Sequence, residues 1–83
     1  MNKLEYEKKI WNCQRLDPLD KLVGIVIGSF MNEHGDVLFL DIEELAKYCS
    51  LGVPSVKNKI IMLIQYGHLK YGINGVMIDD SNN

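Results

Sequence analysis

Eighty-three residues, 47% of them hydrophobic and 24% charged, with a formal net charge of −2, describe one soluble globular domain. The chain is too short for two domains, and its composition is not that of a disordered segment. Its longest apolar run, Leu22 to Met31, is broken by Gly24, Gly28 and Ser29 and falls well short of the roughly twenty residues a bilayer demands. The polar first residues, Asn2 to Glu7, argue against a signal peptide. Cys13 and Cys49, with no CxxC pair, read as reduced, mostly buried thiols of a cytoplasmic protein.

Leu4 to Leu16 reads as an amphipathic helix, because Tyr6, Ile10 and Cys13 recur at i, i+4 and i+7, with Leu4 and Trp11 seven apart. Trp11 is either a core plug or an exposed anchor in a partner interface. Asp17-Pro18-Leu19-Asp20 starts a second helix: Asp17 can cap, Pro18 suits the first helical position, and Asp20 favours the positive end of the dipole. That helix is apolar round most of its circumference and is expected at the domain centre, fading near Met31. Gly24 and Gly28, four apart, predict a close helix crossing.

Val37 to Leu40 is a β-prone run. Asp41 followed three residues later by Glu44 is a capping-box arrangement, so a third helix is expected over Ile42–Cys49. After the Ser50-Leu51-Gly52 turn, Pro54 restricts the next helix to starting at Val53 or Pro54. Its buried stripe is Val56, Ile60, Leu63 and Ile64, and Tyr66-Gly67 ends it. His68–Tyr71 and Val76–Ile78 are strand-like, and Asn74-Gly75 between them is a strong hairpin signal.

The overall charge hides a division. Residues Met1 to Glu44 sum to −4, and Leu45 to Ile78 contain no acid and four lysines, Lys47, Lys57, Lys59 and Lys70. Such local asymmetry matters more to a polyanionic partner than the net figure.

Two helices joined by a tight turn, with a strand ahead and a hairpin behind, resemble a winged helix-turn-helix. Leu45-Ala46, Cys49-Ser50-Leu51 and Val56 carry the resemblance, since a small residue at Ala46 and apolar residues at Leu51 and Val56 fit the angle between the helices. The wider string, from Asp17-Pro18 through Asp41-Ile42-Glu43-Glu44-Leu45-Ala46 to Gln65-Tyr66-Gly67-His68-Leu69, is similar to the short winged helices of phage and plasmid replication-organiser proteins and related transcription regulators. The fold class expected is therefore mainly α with a small β-hairpin (α+β). Residues 1–16 form a helical extension, 17–79 the winged helix-turn-helix, and 80–83 a disordered tail.

The resemblance implies binding of double-stranded DNA with the third helix of the winged unit in the major groove. Carried onto this chain, the groove contacts fall to Ser55, Lys57 and Asn58, and the phosphate contacts to Lys47, Lys59 and Lys70. Gly52, Val53 and Pro54 offer no side-chain donor to a base edge, and the wing tip has no arginine or lysine, so intrinsic specificity is expected to be modest. Ser50 stands where glycine is usual. Replacing Lys57 and Lys59 together by alanine is expected to weaken DNA binding without lowering the melting temperature. Tyr6, Ile10 and Trp11 are assigned to a partner interface, with a homodimer and a protein partner both open.

Other chemistries have little support. Cys13, His34, Cys49 and His68 lack paired metal-ligand spacing, and both histidines read as surface residues. No nucleophile–base cluster, phosphate loop, cofactor motif or small-molecule signature is present, so no enzyme is expected. The rival function is a winged-helix protein-interaction module, suggested by the apolar Val53-Pro54 end and a wing poor in basic residues.

Overall fold

Local side-chain chemistry starts three of the four helices in the computed structural model, which describes residues 2–38, 40–72 and 75–79. Helix α1 (Lys3–Trp11) is capped by Asn2, whose side chain accepts the Glu5 N–H at 2.8 Å. Helix α2 (Pro18–Ser29) opens on a complete capping box: Asp17 accepts from the Asp20 N–H, and Asp20 accepts from the Asp17 N–H. Helix α3 (Ile42–Cys49) is capped by Asp41 through the Glu44 N–H. Helix α4 (Val53–Gln65) is the exception, with Gly52 at its N-cap and no side-chain cap.

Three short strands follow or separate these helices: β1 (Asp36–Leu38), β2 (Leu69–Tyr71) and β3 (Gly75–Ile78). They form one antiparallel sheet in the order β1-β3-β2, with Val76 opposite both Val37 and Tyr71. The strand before α3 thus closes the far edge of the hairpin. The Gly72 N–H donates to the Gly75 carbonyl at 2.7 Å. Asn74 of the expected Asn-Gly turn, and the expected tail 80–83, lie outside the described residues. Mainly helical with a small β part, this is the arrangement of a winged helix-turn-helix.

One core serves the whole chain. Val23 and Ile27 of α2, Leu45 of α3, Val56 and Leu63 of α4 and Leu69 of β2 are fully buried together with Tyr6 and Ile10 of α1. The close crossing expected from Gly24 and Gly28 is between α1 and α2. A Cβ on Gly24 would lie 2.8 Å from Ile10 Cδ1, and one on Gly28 would lie 3.1 Å from the Tyr6 ring. The Tyr6 hydroxyl donates to the Gly24 carbonyl at 2.7 Å, and burial pushes its pKa well above the ordinary value, so it stays a donor.

These contacts correct three expectations. Helix α1 stops at Trp11, not Leu16, because the chain must turn back onto α2 and reach an extended residue before Pro18. Tyr6 and Ile10 are core residues, closed off from any partner, and only Trp11 of that trio is exposed. Helix α2 is central as expected, in contact with α1, α3 and α4, but it is not covered all round: Asp20, Val23, Gly24, Ile27 and Gly28 are buried, Ile25 and Val26 are half-buried, and Leu19, Leu22 and Ser29 are exposed.

His68 is a fourth correction. Helix α4 ends in a Schellman motif: Gly67 has φ +80°, its N–H reaches the Ile64 carbonyl, and the His68 N–H reaches the Leu63 carbonyl. That geometry folds the residue after the glycine back onto the helix, and His68 is only 2% exposed. Neither ring nitrogen has a partner among the described residues. Burial, and then the Lys9 charge, lower its pKa below 6.5. The unfolded chain therefore takes a proton near pH 6.5 that the folded chain resists. Stability should be fully present above that pH and fall as pH drops through the folded value. A pH series of thermal melts should show this loss, and His68→Leu should flatten it. An unchanged pH profile in the variant would assign the loss to other groups.

Candidate nucleic-acid interface

The turn between α3 and α4 sets the site. Ser50 adopts the left-handed conformation (φ 55°, ψ 40°), a strained choice for a residue with a side chain. Its N–H bonds the Lys47 carbonyl, and the Leu51 N–H bonds the Ala46 carbonyl, so the chain reverses within three residues. Ala46 and Val56 are buried in the angle and Leu51 is half-buried beside them, as the apolar spacing requires. Cys49 is buried there too, which pushes its thiol pKa up and leaves it a packing residue.

With Val56, Ile60 and Leu63 turned inward, the opposite side of α4 presents Pro54, Ser55, Lys57, Asn58, Ile61 and Gln65 to solvent. The side chains of Ser55, Lys57 and Asn58 make no hydrogen bond or ion pair among the described residues. Since Gly52 supplies no cap, the Val53 and Ser55 N–H groups at the positive end of α4 are also left for an outside acceptor. Lys57 stands at the rim of a groove of about 280 Å^3 lined by Leu40, Ile42, Ile60, Ile61, Tyr71 and Val76.

The four lysines do not share this surface. Lys59 turns inward: its ammonium lies 3.5 Å from Asp20, and the two side chains are 13% and 7% exposed. It holds α4 to α2 and is withdrawn from the phosphate contacts expected of it. Lys70 is half-exposed on β2, and strand alternation places it on the opposite face from Leu69 and Tyr71. Lys47 is exposed on α3, but its surroundings include Asp41, Glu43 and Glu44, so its charge is locally offset.

Sequence reasoning did not assign Ile61 or Gln65 to the site, and it raised Tyr71 only as a further phosphate hydrogen-bond donor, alongside Tyr48 and Tyr66. Ile61 follows Lys57 by four and Gln65 follows Ile61 by four, so helical spacing from the chosen residues would have found both. Tyr71, strongly exposed, reaches the same groove because β2 lies alongside α4. Ile61 is also 53% exposed, so the outward face mixes polar groups with an apolar centre.

Among known proteins, a family model described as a helix-turn-helix domain matches residues 14–69, which includes α2, α3, α4 and the turn between the last two. No curated protein and no solved structure matches the chain. No helix among the described residues is long and apolar enough to cross a membrane.

Proposed function

The chain belongs to the helix-turn-helix domain family of DNA-binding proteins, and from that premise we propose that it binds double-stranded DNA with α4 in the major groove. The observation that carries this reading is the uncapped N-terminus of α4 beside the unpartnered side chains of Ser55, Lys57 and Asn58. Free N–H groups at a helix start suit a phosphate. Asn58 can pair bidentately with adenine, and Lys57 can meet guanine or a phosphate. Ser55 and the Tyr71 hydroxyl suit backbone oxygens. Selectivity is modest, because Pro54 and Ile61 occupy much of the face that a base edge would read.

Lys47 and Lys70 are peripheral phosphate contacts on this reading. With Lys59 engaged elsewhere, two or three lysines remain, so log K against log salt should fall with a slope of about −2 to −3. The setting we propose is a cytoplasmic regulatory or replication role of the phage or plasmid type, with no catalysis, cofactor or small-molecule ligand.

A second reading rests on the groove beside Lys57. Its lining is almost wholly apolar, which suits an apolar protein segment better than a nucleic acid, and supports the interaction-module alternative. Charge reversal separates the two. Lys57→Glu should weaken binding to a random-sequence duplex at least tenfold, and Lys8→Glu, on the exposed side of α1, should change it little. Fluorescence anisotropy measures both. Equal affinity in wild type and Lys57→Glu would remove α4 from DNA recognition and leave the groove as the functional surface.

A further inference from the structure

We infer that the outward stripe of α4 selects base composition, preferring about three successive A·T pairs, with Asn58 on adenine and Ile61 on thymine. The inference rests on the proposed placement of α4 in the major groove and names what the helix reads there.

Pro54, Lys57, Asn58 and Ile61 fall at i, i+3, i+4 and i+7 and are all exposed, so they form one stripe along the helix. Val56, Ile60 and Leu63 hold the reverse side in the core, which fixes the direction the stripe faces. From Pro54 to Ile61 the helix rises about 10 Å, and base pairs stack about 3.4 Å apart, so the stripe spans about three pairs.

Ile61 is the residue that duplex binding alone leaves unexplained. It is 53% exposed on the solvent side of α4, between Asn58 and Gln65. The major groove carries one apolar group, the C5-methyl of thymine. An isoleucine facing the groove gains by covering that methyl. Over a G·C pair it would instead cut polar base edges off from water and give them no partner in return.

The polar side chains point the same way. The Asn58 amide matches the N6 amino group and N7 of adenine, and it has no hydrogen-bond partner among the described residues. Gln65, one turn beyond Ile61, carries a second amide of the same kind. Helix α4 has no Asp or Glu to accept from the cytosine amino group, and no arginine to grip guanine O6 and N7. Lys57 is the one cation on the stripe, and a point charge without a planar fork is satisfied by a phosphate as readily as by guanine. Pro54 offers ring carbons and no donor. The resulting preference is for composition over a few pairs and not for a unique sequence, in keeping with modest selectivity.

Fluorescence anisotropy with three short duplexes of equal length and identical ends tests the inference. One has a central run of A·T pairs, one a run of G·C pairs, and the third repeats the first with deoxyuridine for every thymidine in the run. That replacement removes the methyl groups and keeps pairing and charge. The wild type should bind the A·T run about tenfold more tightly than the G·C run. It should lose about threefold on the uridine duplex, a comparison that needs no protein variant. Asn58→Ala should remove most of the A·T advantage with G·C affinity unchanged, and Ile61→Ala should bind the thymidine and uridine runs equally. Both side chains are exposed, so both variants should melt with the wild type. Equal affinity for the A·T and G·C runs would overturn the inference and leave duplex binding by α4 standing. An A·T preference that neither Asn58→Ala nor loss of the methyl groups alters would come from duplex shape, and would overturn it equally. Absence of binding to all three duplexes would remove the DNA reading itself, and this inference with it.

Discussion

Replacing Lys59 by alanine is expected to lower the melting temperature by roughly 8–32 °C while leaving the exposed side of α4 intact. The reason is the position of its ammonium, 3.5 Å from an Asp20 carboxylate that is itself almost wholly buried. Asp20 also accepts the Asp17 N–H as part of the α2 cap, so its charge is fixed in place whether or not Lys59 is present. Removing one member of a buried pair costs more than the pair contributes, since the remaining charge keeps its desolvation penalty. A loss of about 2–4 kcal/mol follows, and in a domain of this size each kcal/mol shifts the melting temperature by about 4–8 °C. The double variant Lys59→Met with Asp20→Asn should recover part of that loss, because it leaves no uncompensated charge. Thermal melts of both measure it, and a Lys59→Ala protein that melts with the wild type would return Lys59 to the surface. Lys57, two positions earlier and exposed, differs: on the proposed function it belongs to binding, and its replacement should leave the melting temperature unchanged.

Gly24→Val should be comparably damaging. The first added carbon would already lie 2.8 Å from Ile10 Cδ1 and 3.1 Å from Leu63 Cδ2, and both side chains are held in the core. Neither can swing away, and the Tyr6 hydroxyl bond to the Gly24 carbonyl fixes the separation of α1 from α2. Overpacking of this kind typically costs about 1–3 kcal/mol, and the two further methyls of valine put it at the upper end. The gain in helix propensity over glycine, about half a kcal/mol, does not offset it. Gly52→Ala provides the control, since its nearest neighbour is 3.8 Å away and its φ of −73° suits any residue. Denaturant unfolding should show a large loss for the first and a smaller one, about 1 kcal/mol at most, for the second, since alanine is a poorer N-cap than glycine. Equal stability of the two would mean that Ile10 of α1 and Leu63 of α4 do not bear on α2 as closely as the Gly24 contacts indicate.

The elements were readable where a local cause fixes them. Asp17-Pro18 and Asp41-x-x-Glu44 start helices through caps that need no tertiary partner, and Gly67 ends one because its conformation is left-handed. Pairing between distant segments was not readable in the same way. Nothing local in Val37 indicates that β1 would pair with β3 and not stand alone. Lys59 is an instructive intermediate case. It lies with Val56, Ile60 and Leu63 at i, i+3, i+4 and i+7, a buried stripe, and Asp20 occupies the first position of an equivalent stripe with Val23, Gly24 and Ile27. Two opposite charges at interior positions of two helices imply each other, since a charge is rarely buried without a partner. Counting lysines as one surface set concealed that.

The burial of His68 has a similar lesson. Its place after a helix end suggested a surface loop, yet the Schellman motif directs that residue inward. Helix α2 shows a different kind of limit. An apolar circumference demands cover on every side, but only the three-dimensional arrangement reveals which side the chain itself leaves bare.

The most direct test of the DNA-binding account is a titration of isotope-labelled protein with a short random-sequence duplex at low salt, followed by amide chemical shifts. The account predicts that the perturbed amides cluster from Gly52 to Ile61, with smaller changes around Tyr71 and little across α1 and the outward side of α2. Perturbations centred on Lys8, Arg15 and Lys21, or none at all, would contradict it.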